Sequence, residues 1–303
     1  MSTSKKYLIN IVGPTAVGKT ALAIKLAKHF HTEILSSDSR QFYRELSIGT
    51  AKPSPDELQE VPHHFINSLS VTDLYSASDF ERDALALLQT LYSKYDVVVM
   101  VGGSGLYIKA LLEGLDPAAG RDESLRKELK ELHEQQGIEV LQERLKAADP
   151  TAYETVALQN PQRVMRAIEM AELSLIVVKK ETTKRPFIPL SIGLDLPREQ
   201  LYERINQRVD QMMLQGLTDE VKSMSAYRQT YALQTVGYKE LFSFLDGSIP
   251  LQQAVSLIKQ HTRNYAKRQL TWFRRDKSIC WFSPEQENEI IQQINNRIDG
   301  EVN

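Results

Sequence analysis

Residues 13–20 form a complete phosphate-binding loop with the pattern GxxxxGK[ST]. An apolar run, Tyr7–Val12, precedes the loop, and a helix-compatible stretch, Ala21–His29, follows it. In such a strand–turn–helix, backbone N–H groups and the positive N-terminus of the helix point at a bound anion. The residues of the loop are Gly13, Pro14, Thr15, Ala16, Val17, Gly18, Lys19 and Thr20. The sequence therefore predicts a binding site for linked phosphates.

Two side chains of this loop carry its expected chemistry. Lys19 supplies a positive charge to the outer phosphates, and the Thr20 hydroxyl is placed to ligate Mg²⁺. The motif does not distinguish ATP from a diphosphate leaving group, because either one presents phosphate oxygens to the same N–H groups. Both interpretations stay open at this point.

A second glycine-rich turn follows another apolar run. Val97–Val101 leads directly into Gly102-Gly103-Ser104-Gly105, and the apolar segment Leu106–Leu112 comes next. This turn again combines bare backbone N–H groups, a helix N-terminus and the Ser104 hydroxyl. Two such turns on adjacent strands would hold a diphosphate from two sides, although a purely structural turn has the same pattern.

Asp38 lies in the polar segment Ser36–Gln41, which follows a strand-like run at residues 33–37. Because parallel strands end at one edge of the sheet, we expect this carboxylate beside the phosphate site. Its possible roles are Mg²⁺ ligand, general base, or cap of the next helix.

A phosphate-transferring kinase is the obvious alternative for a phosphate-binding loop. Such enzymes usually place an aspartate that holds Mg²⁺ at the end of a central strand. Here the main central strand ends in Gly102, although Asp195 does end a strand-like segment, and there is no obvious arginine-rich lid. The pattern therefore mildly disfavours phosphoryl transfer.

Basic residues form two further patterns. Arg204 and Arg208 are four residues apart, so one helix face would present two guanidiniums that suit phosphate oxygens. Residues 259–277 hold seven basic side chains against one acidic one, with three aromatic residues between them. This composition suits an RNA backbone with bases to stack on, but solvated surface charges would give the same two patterns.

Strand-like and helix-like segments alternate through the first third of the chain, which predicts an α/β fold with a mostly parallel sheet flanked by helices. Residues 122–147 are dense in Glu, Lys, Arg, Gln and Leu, as in surface helices, and a strand pattern returns at Ile188–Leu194. We therefore predict a P-loop core at residues 1–116 and 188–303, interrupted by an all-helical insertion domain at residues 117–187.

Composition excludes several classes of protein. The chain has 303 residues, and no apolar run approaches the ~18 residues that cross a bilayer. Its single cysteine, Cys280, excludes an internal disulfide and a cysteine-rich zinc site, which fits a reducing cytoplasm. The net charge of −2 provides no global attraction to nucleic acid, so RNA binding would depend on local clusters.

Several motifs together closely resemble the bacterial tRNA dimethylallyltransferases, also called tRNA isopentenyltransferases. The motifs cover residues ~7 to ~283 and are GPTAVGKT, SSDSRQFY, GTAKP, HHFI, VGGSGLYIKALLEGL, NPQRVMRAIE, TVGYKEL and TRNYAKRQLTWFR. The resemblance implies transfer of a dimethylallyl group from dimethylallyl diphosphate to N6 of adenosine 37, next to the tRNA anticodon, with Mg²⁺. The phosphate-binding loop would then hold the diphosphate of the prenyl donor.

The resemblance also implies roles for single residues. Asp38 would be the general base, with Asp38, Ser39, Arg40 and Gln41 holding the extruded adenine. Ser104 replaces a threonine of the family pattern and keeps its hydroxyl, so it would contact the diphosphate or the reacting adenine of the tRNA. Lys19 and Arg208 would hold the diphosphate. The residues expected to contact the anticodon stem-loop further include Arg126, Gln162, Arg163, Val164, Met165, Arg166, Arg263, Lys267 and Arg268.

Other functions remain as alternatives. An adenylate isopentenyltransferase would share the core and the loop, but the helical insertion and the basic segment at residues 259–277 favour a large RNA. A P-loop nucleotide kinase would transfer phosphate from ATP, and a non-catalytic RNA-binding module would leave the loop unexplained. We expect a cytoplasmic monomer with no membrane contact and no obligate protein partner.

Overall fold

The computed structural model describes residues 5–115, 122–173 and 184–300. The chain divides into two compact units. One unit, called the core below, comprises Met1–Gly114 and Lys184–Asn303, and the other, called the insertion, comprises Leu115–Thr183. The boundary predicted at residues 116 and 117 lies outside the described residues.

The core is built on one sheet that contains six parallel strands among the described residues, in the order β3-β2-β4-β1-β5-β6. The strands are β1 (Tyr7–Val12), β2 (Ile34–Ser36), β3 (His63–His64), β4 (Val97–Val101), β5 (Ile188–Leu194) and β6 (Cys280–Phe282). Every residue of β1 and β4 is buried, as expected of strands covered by helices on both faces. The predicted α/β fold with a parallel sheet is confirmed.

The helices of the core flank this sheet and build a second cluster of apolar residues beside it. They are α1 (Lys19–His29), α2 (Pro55–Glu60), α3 (Ala77–Leu91), α4 (Gly105–Glu113), α9 (Arg198–Leu214), α10 (Leu217–Ser223), α11 (Tyr238–Leu245), α12 (Leu251–Phe273) and α13 (Glu287–Gly300). Short 3₁₀ turns at Ser225–Tyr227 and Tyr231–Leu233 join α10 to α11.

The insertion is helical throughout its described residues. Its helices are α5 (Glu123–Gln136), α6 (Glu139–Ala148), α7 (Pro150–Thr155) and α8 (Pro161–Glu172). Three of these helices, α5, α7 and α8, have a capping side chain at the N-terminus. The side chains of Asp122, Asp149 and Asn160 accept backbone N–H groups of the first turn. The insertion has its own core, made of Leu125, Leu129, Leu141, Leu145, Val164 and Ile168.

Candidate active site

Three loops meet at the carboxyl edge of the sheet. They follow β1, β4 and β2, which are neighbours in the sheet. Two backbone hydrogen bonds join them at the strand ends: Gly102 N–H donates to Ile11 O at 3.2 Å, and Ser37 N–H donates to Val101 O at 2.8 Å. The two glycine turns and the Asp38 segment are therefore side by side, as their positions at strand ends predicted.

The first glycine of the phosphate-binding loop is required by close packing. Gly13 has a φ of 142°, and a Cβ built on it would lie only 2.5 Å from the Leu194 carbonyl oxygen of β5. Val17 is fully buried in the apolar core, so only its backbone can face a phosphate. Close packing against β5 and the apolar core thus fixes the loop at the carboxyl edge of the sheet.

Lys19 lies within the loop that it is expected to serve. Its ammonium donates to the Pro14 carbonyl oxygen at 2.8 Å. Although part of the side chain is exposed, burial of the ammonium lowers the pKa of Lys19 to about 8, with Asp38 opposing and Arg208 reinforcing that shift. The loop therefore holds a buried cation whose charged form a bound anion would stabilise.

Helix α9 directs two arginines at the same loop. Arg208 Nη1 donates to Thr15 Oγ1 at 3.4 Å, and Arg204 Nη1 donates to Val17 O at 3.4 Å. Burial lowers the pKa of Arg208, while the charge of Asp38 raises it. The spacing of four residues thus places both guanidiniums beside the loop, in the arrangement that suits phosphate oxygens.

Asp38 begins a tight turn beside the second glycine turn. Its Oδ1 accepts the Arg40 N–H at 3.0 Å, and its carbonyl oxygen accepts the Gln41 N–H at 3.1 Å. The neighbouring Ser39 N–H donates to Ser104 Oγ at 2.9 Å. The carboxylate is therefore held by the backbone, as a cap would be, and Asp38 also lines a cavity beside the phosphate-binding loop.

The other two members of the Asp38 segment make contacts within the core. Gln41 Nε2 donates to the carbonyl oxygens of Thr50 at 3.3 Å and Ala51 at 3.2 Å. Arg40 Nη1 donates to Tyr231 O at 3.0 Å, and its guanidinium lies 4.6 Å from the centre of the Tyr231 ring. Both side chains are thus oriented by neighbouring loops.

Gln269 was not among the predicted site residues, yet it joins both glycine turns. Its Oε1 accepts the Thr15 N–H at 2.9 Å, and its Nε2 donates to the Gly103 carbonyl oxygen at 3.0 Å. The side chain is buried on α12. A Cβ on Gly103 would lie 2.2 Å from Gln269 Nε2, so the glycine makes room for the amide. Nothing in the sequence signals this role, because Gln269 lies within residues 259–277, whose pattern is set by basic and aromatic residues.

Two cavities open between these elements and share part of their walls. One, of about 470 Å³, runs along the phosphate-binding loop and is lined by Lys19, Thr20, Arg204 and Arg208. The other, of about 260 Å³, has a largely apolar wall. That wall includes Ile205, Val209, Met212, Leu217, Val236 and Ile258. Both cavities are lined by Thr15, Asp38, Thr50, Arg208 and Tyr265.

Comparison with known proteins decides the family. The family model described as IPP transferase matches residues 41–276. The chain is 49% identical to the tRNA dimethylallyltransferase of Christiangramia forsetii over 97% of this chain and 99% of that protein. It is 48% identical to that of Cytophaga hutchinsonii over 97% and 98%. The chain belongs to the IPP transferase family.

Solved structures agree with the membership of the IPP transferase family. A full-length tRNA isopentenylpyrophosphate transferase from Bacillus halodurans has a TM-score of 0.72 and 38% identity, over 98% of this chain and 96% of that one. A eukaryotic dimethylallyltransferase described as acting on tRNA has a TM-score of 0.79 and 25% identity, over 98% and 79%. The family resemblance seen in the sequence is thus confirmed.

In this IPP transferase, α12 carries the predicted basic stripe, but part of the stripe packs against α9. Lys259 Nζ donates to Asp210 Oδ2 at 2.7 Å, and Arg263 Nη1 donates to Asn206 Oδ1 at 2.7 Å. Lys267 and Arg268 are exposed. The prediction that these residues bind RNA stays a prediction, and Lys267 and Arg268 are the members best placed to do so.

The insertion corrects one predicted site residue. The side chain of Val164 is fully buried in the apolar core of the insertion, so it is not available to RNA, contrary to our prediction. Met165 packs partly against the same core. Helical periodicity explains the difference, because consecutive residues of a helix cannot all face solvent. Gln162 and Arg163 are the exposed residues of the segment.

Two arginines of the insertion meet at one buried carboxylate. Arg126 Nε donates to Glu169 Oε1 at 2.5 Å, and Arg166 Nη1 donates to Glu169 Oε2 at 2.8 Å. Glu169 is 1% exposed. Arg126 and Arg166 therefore stabilise the insertion whether or not they also contact RNA.

Two features are absent from the part of the chain that the structure describes. Within residues 5–115, 122–173 and 184–300, no group of three or more His, Cys, Asp or Glu side chains is arranged to hold a metal ion. Across the same parts of the chain, no helix combines the length and apolar character needed to span a bilayer. The His63-His64 pair forms strand β3, where His64 Nε2 contacts Glu33 Oε2 at 2.6 Å.

Proposed function

We propose that this enzyme transfers a dimethylallyl group from dimethylallyl diphosphate to N6 of adenosine 37 in tRNA, releasing diphosphate. One observation supports this most directly: a cationic cavity along the phosphate-binding loop shares its wall with an apolar cavity. A prenyl diphosphate has the same division into a charged end and an apolar end.

The donor is proposed to lie across both cavities. Its diphosphate would contact the N–H groups of the loop together with Lys19 and Arg208, and its five-carbon chain would extend toward the apolar wall. Arg208 lines both cavities, so its guanidinium is placed near the junction of the two ends. The reacting carbon, C1 of the prenyl chain, would therefore be close to Asp38.

The reaction proposed at that junction forms one bond and breaks another. The N6 lone pair of the adenine attacks C1 while the bond between C1 and the diphosphate oxygen breaks, and the electron pair leaves with diphosphate. Negative charge grows on oxygens that Lys19 and Arg208 already face, and such preorganised donors are often the largest catalytic contribution. N6 becomes acidic as it bonds to carbon, and Asp38 then accepts its proton.

Mg²⁺ is proposed as the cofactor, and the residues present fit it. The Thr20 hydroxyl and the Asp38 carboxylate both line the cavity along the loop. Mg²⁺ is commonly held by one or two protein oxygens together with phosphates and water, so a larger cluster of acids is not needed. When bound, the ion would neutralise charge on the diphosphate. The Thr20 hydroxyl would hold it.

The proposed acceptor is the anticodon stem-loop of tRNA. The curated relatives are named for tRNA, and one structural neighbour is described as acting on it. On this chain, the exposed Arg163 in the insertion, and Lys267 and Arg268 on α12, are the side chains proposed to contact its phosphates. A tRNA substrate and a single cysteine suit a reaction in the cytoplasm.

A transfer assay tests this proposal. The protein is incubated with Mg²⁺, labelled dimethylallyl diphosphate and either unmodified tRNA or AMP, and the product is digested to locate the label. We expect label on N6 of adenosine 37 in tRNA and none on AMP. Label on AMP alone would assign the chain to the free-nucleotide prenyltransferases, and ATP consumption without label would indicate a kinase.

A further inference from the structure

We infer that Glu220 is a positioning residue of this enzyme, which fixes the loop Ser47–Ala51 so that the loop can orient Gln41 at the adenine site. This inference rests on the proposed function, since it gives Gln41 the task of holding the acceptor base. Glu220 lies on α10, outside every motif that the sequence analysis selected.

The Glu220 carboxylate accepts four hydrogen bonds. Oε2 accepts the backbone N–H groups of Ser47 at 3.0 Å and Ile48 at 2.8 Å. Oε1 accepts the Gly49 N–H at 3.0 Å and the Tyr238 hydroxyl at 2.6 Å. Successive backbone N–H groups that converge on one point form an anion-binding concavity. Here a side chain of the same protein supplies the anion.

Tyr238 packs against the same loop at Gly49. Its ring is fully buried, and a Cβ on Gly49 would lie only 2.6 Å from the ring. Burial raises the pKa of Tyr238, and the nearby Glu220 charge adds to that shift, so the hydroxyl stays protonated and donates. The Glu220 carboxylate therefore accepts the N–H groups of the loop, and the Tyr238 ring packs closely against Gly49.

The loop that Glu220 holds lines both cavities through Gly49, Thr50 and Ala51. Gly49 and Thr50 line the apolar cavity, and Thr50 and Ala51 line the cavity along the phosphate-binding loop. Ala51 has a φ of 45°, a left-handed conformation that a residue with a side chain adopts only when its surroundings impose it. That conformation is part of what turns the Ala51 carbonyl oxygen toward Gln41.

Gln41 links this loop to the proposed chemistry. Its Nε2 donates to Thr50 O at 3.3 Å and to Ala51 O at 3.2 Å, and its Oε1 accepts the Ser36 hydroxyl at 3.2 Å. Two of these three side-chain hydrogen bonds are thus made to carbonyl groups of the loop that Glu220 holds. If the loop moves, Gln41 loses its hydrogen bonds to Thr50 O and Ala51 O. The hydrogen bonds of Lys19 to Pro14 O and of Arg208 to Thr15 Oγ1 do not depend on this loop.

The test substitutes Glu220→Gln in the full-length enzyme. An amide has the same shape but only one accepting oxygen, so the N–H groups of the loop can no longer all be satisfied. Three quantities are measured: the single-turnover transfer rate at saturating tRNA, the affinity for a thiolo analogue of dimethylallyl diphosphate, and the thermal midpoint. Asp219→Asn, an exposed neighbour on the same helix, is the matched control.

We expect E220Q to slow single-turnover transfer by about 10- to 100-fold, the effect of a small misplacement of reacting groups. Donor affinity should change by less than about threefold, because that substitution leaves the phosphate contacts intact. Asp219→Asn should match the wild type. Tyr238→Phe removes one of the four hydrogen bonds and should slow transfer by less than E220Q does, which keeps the test usable if E220Q folds poorly.

Unchanged transfer rates in both E220Q and Y238F would overturn the inference. So would losses of rate and donor affinity that track a falling thermal midpoint, because those describe a purely structural residue. The proposed function fails separately, since in that case the wild-type enzyme itself would transfer no label to tRNA.

Discussion

Ser104 Oγ accepts the Ser39 N–H at 2.9 Å and lies 3.0 Å from Ser39 Oγ, to which it donates. Ser104 follows β4, whereas Ser39 follows β2, so one hydroxyl ties together two loops that come from neighbouring strands. The contact lies next to Asp38. It explains how a serine in the second glycine turn can influence the proposed general base without touching it.

Two substitutions of Ser104 should distinguish the effect of its hydroxyl from the effect of the methyl group that threonine would add. Ser104→Ala removes both hydrogen bonds to Ser39 and should lower the transfer rate by about 10- to 100-fold, the effect of a small misplacement of reacting groups. Ser104→Thr restores the family residue, keeps the hydroxyl and should give a rate at least equal to that of the wild type. Single-turnover assays on tRNA measure both. Equal rates for the alanine variant and the wild type would exclude a role for this hydroxyl.

Lys19 should make donor binding depend on pH. Burial lowers the pKa of Lys19 to about 8, so its ammonium is protonated below that pH and loses its proton as the pH rises through it. A diphosphate binds the protonated form. Affinity should therefore be full at neutral pH and weaken above pH 8, by up to about tenfold per pH unit. Titration calorimetry with the thiolo analogue of the donor measures this.

Lys19→Arg is the control for that pH dependence. Arginine stays protonated throughout the range, so the affinity of the variant, although changed in size, should be constant where that of the wild type declines. A wild-type affinity that is constant above pH 8 would contradict the assignment of Lys19 to the diphosphate.

Asp38→Asn should remove the proposed base with little change in the turn. The remaining amide oxygen can still accept the Arg40 N–H that Oδ1 accepts now. Loss of general-base catalysis should lower the transfer rate by about 10²- to 10⁴-fold, whereas tRNA affinity should change far less. Quench-flow and filter-binding measurements give the two quantities. A near-normal single-turnover rate would remove Asp38 from this role.

Gln269→Leu should remove the hydrogen bonds by which one side chain connects the two glycine turns. The substitution leaves the Thr15 N–H and the Gly103 carbonyl oxygen without the partners they have now. Each unpaired group should cost about 1–3 kcal/mol, which lowers the free energy of unfolding and the donor affinity together. Denaturant unfolding and calorimetry test this. Gln253→Leu, an exposed position on the same helix, should change neither quantity.

Arginines of the insertion should divide into two kinds. Arg126 pairs with the buried Glu169, so Arg126→Ala should lower stability by about 1–3 kcal/mol in addition to any effect on RNA. Arg163 is exposed, so Arg163→Ala should leave the thermal midpoint unchanged, weaken tRNA binding and lower the slope of its salt dependence by about one. Unchanged tRNA affinity in R163A would exclude that contact.

The strands of the core were predictable to different degrees. Tyr7–Val12 and Ile188–Leu194 begin and end where the sequence predicts, because each is a long, largely apolar run with clear breaks. Strand β3 consists of only His63 and His64, and two residues show no periodicity. Its pairing with β2 depends on Ile34 and Leu35, which lie about thirty residues earlier.

The site was predictable where a motif lies on one continuous segment. The phosphate-binding loop and Asp38 follow from their positions after strands. Gln269 and Glu220 could not be found in this way, because each acts on backbone groups more than 160 residues away. A glutamine or glutamate looks like a surface residue in the sequence, and only the approach of α12 or α10 to the loops makes it an acceptor.

The point at which the insertion interrupts the core has an evolutionary consequence. A Cβ built on Gly114 would lie 3.2 Å from Arg185 Nη2, and that guanidinium donates to Ala110 O at 2.7 Å, so the two broken ends of the core chain lie side by side. Because the chain leaves and re-enters the core at adjacent positions, the inserted segment can be lengthened, exchanged or lost without a change in the connections between the strands. A change in the length or sequence of the insertion therefore leaves the order of the strands and the phosphate-binding loop of the core as they are.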